Sequence, residues 1–197
     1  MGRKVILAST SPRRKELLHR IVRRFEVVPS TVDESKIKMR SPAAFARQAA
    51  LAKAQEVSAR FPDVVVIGAD TIVVLGKKIL GKPKNRKEAF AMLQLLRGKT
   101  HRVITAISII DGLRHKKLLW HETTRVKMKR VGDDLIRQYV KSGLPLDKAG
   151  AYGIQEIEGD FIEKISGDYN NVVGLPLKKL QITLARFVSS GKKRYNK

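Results

Sequence analysis

Cysteine is absent from this sequence of 197 residues. Its absence excludes disulfide bonds, thiolate metal sites and cysteine nucleophiles, and it is compatible with a reducing compartment. Long apolar runs are missing as well, since no stretch approaches the roughly 20 apolar residues that a membrane-spanning helix requires. The residues after Met1 enter an apolar strand pattern without the long apolar region of a secretory signal. We therefore expect a cytoplasmic protein with no membrane association.

Acidic residues are scarce, with 18 Asp and Glu against 41 Lys and Arg, so the net charge is +23. Such a charge predicts attraction to polyanions but identifies no fold. Aromatic residues make up only 6% of the chain and are not interleaved with the basic runs, which disfavours a base-stacking platform. The alternative from a different class is nevertheless a weak, non-specific nucleic-acid-binding protein. Its basis is a strand pattern in which Arg125, Lys127 and Lys129 form a cationic row, while Val126 and Met128 face the other way.

The hydrophobic content of 43% is ordinary for a globular protein. The length is sufficient for one domain with a sizeable core, divided into two lobes. Strand and helix patterns mix throughout the chain without a linker or a repeat, which predicts the α/β (mixed α+β) class. We expect a single domain over residues 1–188, followed by a basic tail over residues 189–197.

Residues 5–14 form a pattern typical of phosphate binding. Four apolar residues predict a buried strand, and a hydroxyl-rich turn follows, in which Ser11 is a helix cap and Pro12 the first helical residue. Arg13 and Arg14 then stand at a helix N-terminus, whose partial positive charge disfavours cations unless an anion binds. Two guanidinium groups beside unpaired helix amides indicate a phosphate cradle. The alternative at this point is a capped helix with two solvated arginines.

Two carboxylates and two lysines extend this pattern. Residues 64–67 predict a buried strand, and Asp70 is expected where that strand ends, a common place for ligands in open α/β sheets. Glu34 lies in a polar segment, Lys53 lies beside the packing face of a predicted helix, and Lys82 stands between a glycine and a proline. Carboxylates and cations together suit metal-assisted hydrolysis of a phosphoryl group. The structural alternatives are a capping aspartate, a solvated turn and a lysine that extends to water.

Two common phosphate and metal motifs are absent. The sequence has no G-x-x-x-x-G-K-[ST] segment, which excludes a Walker-type loop. The 4 histidines are scattered, and no pair has the spacing of metal ligands.

Five motifs jointly resemble the Maf family of nucleoside-triphosphate pyrophosphatases. They occur in the family's order and cover the chain from about residue 5 to residue 188: residues 7–9 with 11–14, 68–71, 81–83, 147–155 and 171–176. The resemblance implies an elongated, two-lobed fold of the inosine-triphosphatase type with a central cleft, and often a homodimer. It also implies hydrolysis of a nucleoside triphosphate between its α and β phosphates with a divalent cation, Mg²⁺ or Mn²⁺.

The resemblance further implies roles for individual residues. Asp70 falls on the family's catalytic base, and Asp70 or Glu34 would hold the metal. Positions tied to substrate choice correspond to Arg13, Thr71 and Gln155. Phosphate contacts are expected from Ser9, Arg13, Arg14, Lys53 and Lys82. The 147–155 segment is similar to the branch that acts on dTTP and UTP, and the same chemistry on 7-methyl-GTP is the alternative within the family.

Overall fold

The computed structural model describes residues 3–189, so residues 190–197 of the predicted basic tail lie outside the described part of the chain. Seven strands form within that range: β1 (Val5–Ala8), β2 (Glu26–Val27), β3 (Val65–Leu75), β4 (Lys78–Leu80), β5 (Thr100–Asp111), β6 (Lys116–Met128) and β7 (Ile162–Ser166). Seven α-helices accompany them: α1 (Pro12–His19), α2 (Pro42–Arg60), α3 (Arg86–Leu96), α4 (Asp133–Lys141), α5 (Ile154–Phe161), α6 (Tyr169–Val173) and α7 (Leu177–Ser189). Short 3₁₀ turns occupy Glu34–Lys36, Leu144–Asp147 and Ala149–Ala151. None of the described helices has the length and apolar character needed to cross a bilayer.

The strands form one mixed sheet in the order β2-β1-β3-β5-β6-β7, with β4 paired to the far end of β3. The pairs β1–β2 and β1–β3 are parallel, and the other pairs are antiparallel. Two of the antiparallel pairs, β3–β4 and β5–β6, are hairpins with short connections at residues 76–77 and 112–115. Helices and strands alternate along the chain, which agrees with the predicted α/β (mixed α+β) class.

One edge of β3 contains a gap that positions the candidate site. Gly68 is the last β3 residue paired with β1, and Val73 is the first paired with β4. Within the described residues, residues 69–72 between them have no strand partner on that edge, although β5 pairs with them on the other. Asp70 therefore lies in the middle of a strand, and the expectation that it follows the strand's end was wrong. The strand continues because antiparallel β5 pairs with β3 from Val65 to Val74.

Helix α2 packs closely on β3. Its buried alanines include Ala50 and Ala54, and a Cβ added at Gly68 would collide with the Ala50 carbonyl oxygen. The absence of a side chain at Gly68 thus permits the close approach of helix and strand. Because Lys53 lies on α2 between these alanines, the same packing brings its side chain to Asp70.

Two other elements differ from the sequence prediction. Helix α5 (Ile154–Phe161) was not predicted, because the glycine-punctuated segment before it has no helical periodicity. Strand β6 begins at Lys116, earlier than its apolar alternation suggests, because β5 pairs with it over the whole hairpin.

Candidate active site

All nine residues that the sequence predicts for the site line one cleft of about 690 Å³. The cleft opens at the β3 gap, between the β1–α1 turn on one side and the segment from residue 147 to residue 155 on the other. The charged side chains around it are five cations and three carboxylates: Arg13, Arg14, Lys53, Lys82, Lys148, Glu34, Asp70 and Asp147. Tertiary structure has thus brought together site residues that are separated by up to 146 positions in the sequence, from Ser9 to Gln155.

The β1–α1 turn is built as the sequence suggests. Ser11 caps the helix, its hydroxyl accepting a hydrogen bond from the Arg14 amide at 3.4 Å, and Pro12 occupies the first turn. The Ser9 hydroxyl accepts hydrogen bonds from the Ser11 amide at 3.2 Å and from Arg14 Nη1 at 3.3 Å. This turn therefore presents hydroxyls and helix amides toward the cleft.

Arg14 is not a solvated arginine. Its Nε donates to the Gly174 carbonyl at 3.0 Å and its Nη2 donates to Thr71 Oγ1 at 2.9 Å. Burial lowers the pKa of Arg14 below its ordinary value, while the charges of Asp70 and Glu34 act in the opposite direction. With the bond to Ser9, three of its five N–H groups have partners, so two are left for a ligand.

Lys53 joins the two candidate metal-binding carboxylates. Its Nζ lies 2.7 Å from Glu34 Oε1 and 2.8 Å from Asp70 Oδ1. The Asp70 side chain is only 7% exposed, whereas Glu34 is 44% exposed. The second oxygen of Asp70, Oδ2, is buried and has no hydrogen-bond partner in the described part of the chain. Because an unpaired buried oxygen is costly, this atom is the natural acceptor for a proton or a cation that arrives with substrate.

Thr71 is held by a chain of hydroxyl groups. Its Oγ1 accepts from Arg14 and lies 2.9 Å from Thr105 Oγ1, which itself donates to the Asn171 carbonyl at 2.8 Å. The Thr71 hydroxyl proton is therefore directed to Thr105, and a single acceptor position is left. The expected contact between Thr71 and a base is restricted to accepting a hydrogen bond.

A charged network forms the opposite wall, and sequence reasoning missed it. Lys148 is 5% exposed, and its Nζ lies 2.7 Å from Asp147 Oδ1 and 2.9 Å from Glu156 Oε1. Asp147 also contacts Arg13 Nη1 at 3.2 Å. Tyr139 donates to Glu156 Oε2 at 2.6 Å. We call these five residues the Lys148 network; it connects the two walls of the cleft.

The Lys148 network also holds the backbone that precedes Gln155. The Tyr139 hydroxyl accepts from the Gly153 amide at 3.1 Å. Burial, and then the hydrogen bond to Glu156, raises the pKa of Tyr139, so its hydroxyl keeps the proton that it donates. Burial acts to raise the pKa of Asp147, but Lys148 and Arg13 outweigh it and hold that pKa below its ordinary value. The only sequence signal for this network was that Asp147 and Lys148 lie inside a recognised motif.

Gln155 and Lys82 reach the cleft from its rim. Both are exposed, and neither side chain hydrogen-bonds within the described residues. Gln155 lies in the first turn of α5, and Lys82 follows β4 on a loop whose Gly81 carbonyl accepts from the Gly150 amide at 3.0 Å. These two side chains are therefore available to a ligand.

Among the described residues, no group of three or more His, Asp or Glu side chains is arranged to hold a metal ion. Two carboxylates do converge, because one Lys53 ammonium contacts both Glu34 and Asp70. Carboxylate oxygens are the ligands preferred by Mg²⁺, which commonly completes its shell with phosphate oxygens and water. The residues present thus fit a cation that is shared with a bound triphosphate.

Comparison with known proteins gives a consistent result. Residues 4–187 match the family model described as "Maf-like protein". The dTTP/UTP pyrophosphatase of Symbiobacterium thermophilum is 46% identical over 183 residues, 93% of each chain. The dTTP/UTP pyrophosphatase of Pyrococcus furiosus is 46% identical over 193 residues, 97% of each chain.

Two solved structures share the fold. The HAM1 protein from Coxiella burnetii superimposes with a TM-score of 0.54 at 16% identity, covering 94% of this chain and all of that one (100%). The Ham1 protein of Staphylococcus aureus has a TM-score of 0.54 at 17% identity, covering 93% of this chain and 98% of that one. At such identities the likeness concerns the fold alone, and it confirms the predicted fold class.

Proposed function

The chain belongs to the Maf family, and from that premise we propose that it is a nucleoside-triphosphate pyrophosphatase that hydrolyses dTTP and UTP to the monophosphate and pyrophosphate. The observation that supports this most directly is the cleft, where Asp70 has a buried, unpartnered oxygen among cations suited to a triphosphate. The two relatives described above, at 46% identity, carry the same activity in their names.

The triphosphate binds against the β1–α1 turn. Ser9 and the amides at the start of α1 meet phosphate oxygens, and Arg14 offers its two remaining N–H groups. Arg13 and Lys82 approach from the two sides of the cleft. Lys53 lies at the floor, where its charge lowers the cost of bringing phosphate next to two carboxylates.

Asp70 is the general base. Its Oδ1 is held by Lys53, which leaves Oδ2 to take a proton from the attacking water. The water oxygen forms a bond to the α phosphorus, the bond from that phosphorus to the α–β bridging oxygen breaks, and pyrophosphate leaves with the electron pair. Arg14, Lys53 and Lys82 stabilise the charge that develops on the leaving group.

Glu34 or Asp70 would hold the divalent cation, Mg²⁺ or Mn²⁺. When bound, such a cation neutralises phosphate charge and lowers the pKa of a water molecule. Glu34, being partly exposed, can reach such a cation beside the phosphates while Asp70 remains at the floor.

Gln155 reads the base, together with Arg13 and Thr71. A glutamine amide offers both a donor and an acceptor, which suits the edge of a pyrimidine. A site built in this way rejects bases that leave its polar groups unpaired.

The 7-methyl-GTP alternative is tested directly by including that nucleotide among the substrates. We also propose, from the family resemblance, that the protein is a homodimer in the cytoplasm. Analytical sedimentation measures the oligomeric state.

The experiment is pyrophosphate release from a panel of dTTP, UTP, dCTP, dATP, GTP and 7-methyl-GTP with Mg²⁺ or Mn²⁺. We expect dTTP and UTP to be the best substrates, and Asp70→Asn to lower their turnover by about 10²–10⁴-fold, as for loss of a general base. Asp63→Asn, an exposed aspartate just before β3, is the matched control and should retain full activity. Wild-type turnover of Asp70→Asn with metal supplied would refute the role of Asp70, and preference for 7-methyl-GTP would refute the substrate assignment.

A further inference from the structure

The cleft does not account for the charge of this protein. Its lining contributes five cations and three carboxylates, whereas the chain carries a net charge of +23. Most of the excess therefore lies outside the cleft, and a substrate with about four negative charges does not explain it. Where these cations share one surface, that surface is a candidate for binding a larger anion.

Four cations share one face of the sheet at its β5–β6–β7 end. Arg102 on β5 is directly opposite Arg125 on β6, and Lys127 on β6 is directly opposite Lys164 on β7. Residues opposite each other in antiparallel strands project from the same face, and so do residues two apart in one strand. We call these four residues the cationic sheet face; none of them lines the cleft.

The register makes this arrangement unfavourable in the isolated protein. Like charges directly opposite each other in neighbouring strands are destabilising, and here two such pairs are adjacent. Helix α2 packs on the same face further along, over Ile104 and Ala106. In the cationic part, Arg125 and Lys164 are exposed, and Arg102 and Lys127 are half-buried. The unfavourable pairs are therefore presented to solvent rather than used in the core.

Little within the described chain compensates these charges. Arg125 and Lys164 have no ion pair or hydrogen bond among the described side chains, and the nearest acid to Lys127 is Glu163, at 3.6 Å and largely exposed. Arg102 donates to the Gly76 carbonyl at 2.8 Å, which anchors its guanidinium on the face.

Lys129, which the sequence suggested as part of the cationic row, does not belong to it. Strand β6 ends at Met128 after an irregular register, and Lys129 Nζ donates to the Gly159 carbonyl at 2.7 Å. The row is therefore built across three strands rather than along one.

We propose that the cationic sheet face binds the phosphate backbone of duplex DNA without reading its sequence. Duplex DNA has a high linear charge density and a layer of bound counterions. Rows of cations at the spacing of β-strands bind its phosphates and release those counterions, which favours binding. A second copy of the chain does not fit, because a two-fold contact would place this face against itself and repel. Proteins that bind single strands commonly stack the bases on aromatic side chains. Trp120 lies on the opposite face of the sheet, where Lys179 Nζ is 4.6 Å from the ring centroid, so it offers no stacking surface beside these cations.

The experiment measures binding of the full chain to a random-sequence duplex of 24 base pairs by fluorescence anisotropy over a series of salt concentrations. The test variant is Arg102→Gln, Arg125→Gln, Lys127→Gln, Lys164→Gln. The control variant is Arg23→Gln, Arg24→Gln, Lys87→Gln, Lys141→Gln, which removes two arginines and two lysines from exposed positions elsewhere. Both variants have the same net charge, so a difference in their DNA affinity reports the effect of where the cations were removed. Lys127→Gln with Lys164→Gln alone is a second test variant in case Arg102 is needed for folding.

We expect the slope of log affinity against log salt to become shallower by about 3 to 4 in the test variant, as for loss of four phosphate contacts. The control variant should keep most of the slope, and dTTP hydrolysis should be unchanged in both variants. Equal losses in the two variants would overturn the proposal in favour of a general charge effect. Preference for one DNA sequence, equally tight binding of polyglutamate, or a changed oligomeric state in the test variant would also overturn it.

Discussion

Lys148 offers the sharpest test of how the cleft is held together. Its ammonium has three hydrogen-bond partners, which are Asp147, Glu156 and the Leu144 carbonyl, and its side chain is 5% exposed. All three N–H donors are therefore used in a place that water barely reaches. Lys148→Met keeps an unbranched apolar stem as far as the ε position but removes the ammonium with its charge and its donors.

The cost of Lys148→Met follows from what is left behind. Removing one partner of a buried ion pair costs about 3–5 kcal/mol, because the other charge is left uncompensated. Asp147 is 59% exposed and Glu156 is 25% exposed, so both regain some hydration. We therefore expect the low end, about 3 kcal/mol, which corresponds to a fall in Tm of roughly 6–12 °C for a domain of this size.

The substitution should also reduce selectivity. Glu156 would lose one of the contacts that fix it under Tyr139, and Tyr139 holds the Gly153 amide two residues before Gln155. The ratio of kcat/KM for dTTP to that for dATP should fall in Lys148→Met at a temperature where the variant is fully folded. Adding Glu156→Gln should recover part of the lost stability, because it removes the uncompensated carboxylate.

Two assays check this reasoning: thermal unfolding, and pyrophosphate release from dTTP and dATP. A Tm within 2 °C of the wild type would refute the claim that Lys148 satisfies buried charges. A large fall in Tm with an unchanged nucleotide ratio would refute its part in placing Gln155, while leaving its structural part intact. If the double variant has a lower Tm than Lys148→Met, Glu156 is not the uncompensated group.

Three further outcomes are expected. Gln155→Ala should lower dTTP and UTP turnover more than purine turnover without changing Tm, and an equal proportional loss for all nucleotides would contradict base reading. Gly153→Ala should destabilise the protein because its Cβ would lie 2.7 Å from Lys148 Cε. Gly159→Ala, in open space on α5, should instead stabilise the protein by about 0.5–1 kcal/mol. Urea unfolding that finds Gly153→Ala more stable than Gly159→Ala would contradict the packing described for Gly153. Burial lowers the pKa of His101 to about 4 in the folded protein. The unfolded chain, where this pKa is about 6.5, therefore binds more protons than the folded protein between about pH 6.5 and pH 4. The free energy of unfolding should fall by about 2 kcal/mol between pH 7.5 and pH 5. His101→Gln should remove this part of the acid sensitivity, and an unchanged pH profile would exclude His101 as its source.

The sequence alone determined most local structure. Ser11 and Pro12 predicted the start of α1, since a side-chain cap and a proline in the first turn act within a few residues. Gly98, just after α3, has a positive φ of 69°, which is typical of the glycine that follows a helix. The resemblance to the Maf family also selected nine residues that line one cleft, although it did not show how they contact one another.

Only the tertiary structure decided how those residues are used. Asp70 owes its place to the gap between β1 and β4 along β3, which depends on the pairing of distant strands. The Lys148 network joins residue 13 to residues 139–156, and the cationic sheet face depends on the register of β5, β6 and β7. Caps and apolar periodicity act over a few neighbouring residues, so they are readable from the chain. Ion pairs between distant segments and cross-strand registers depend on the whole packing, and for that reason the sequence pattern did not contain them.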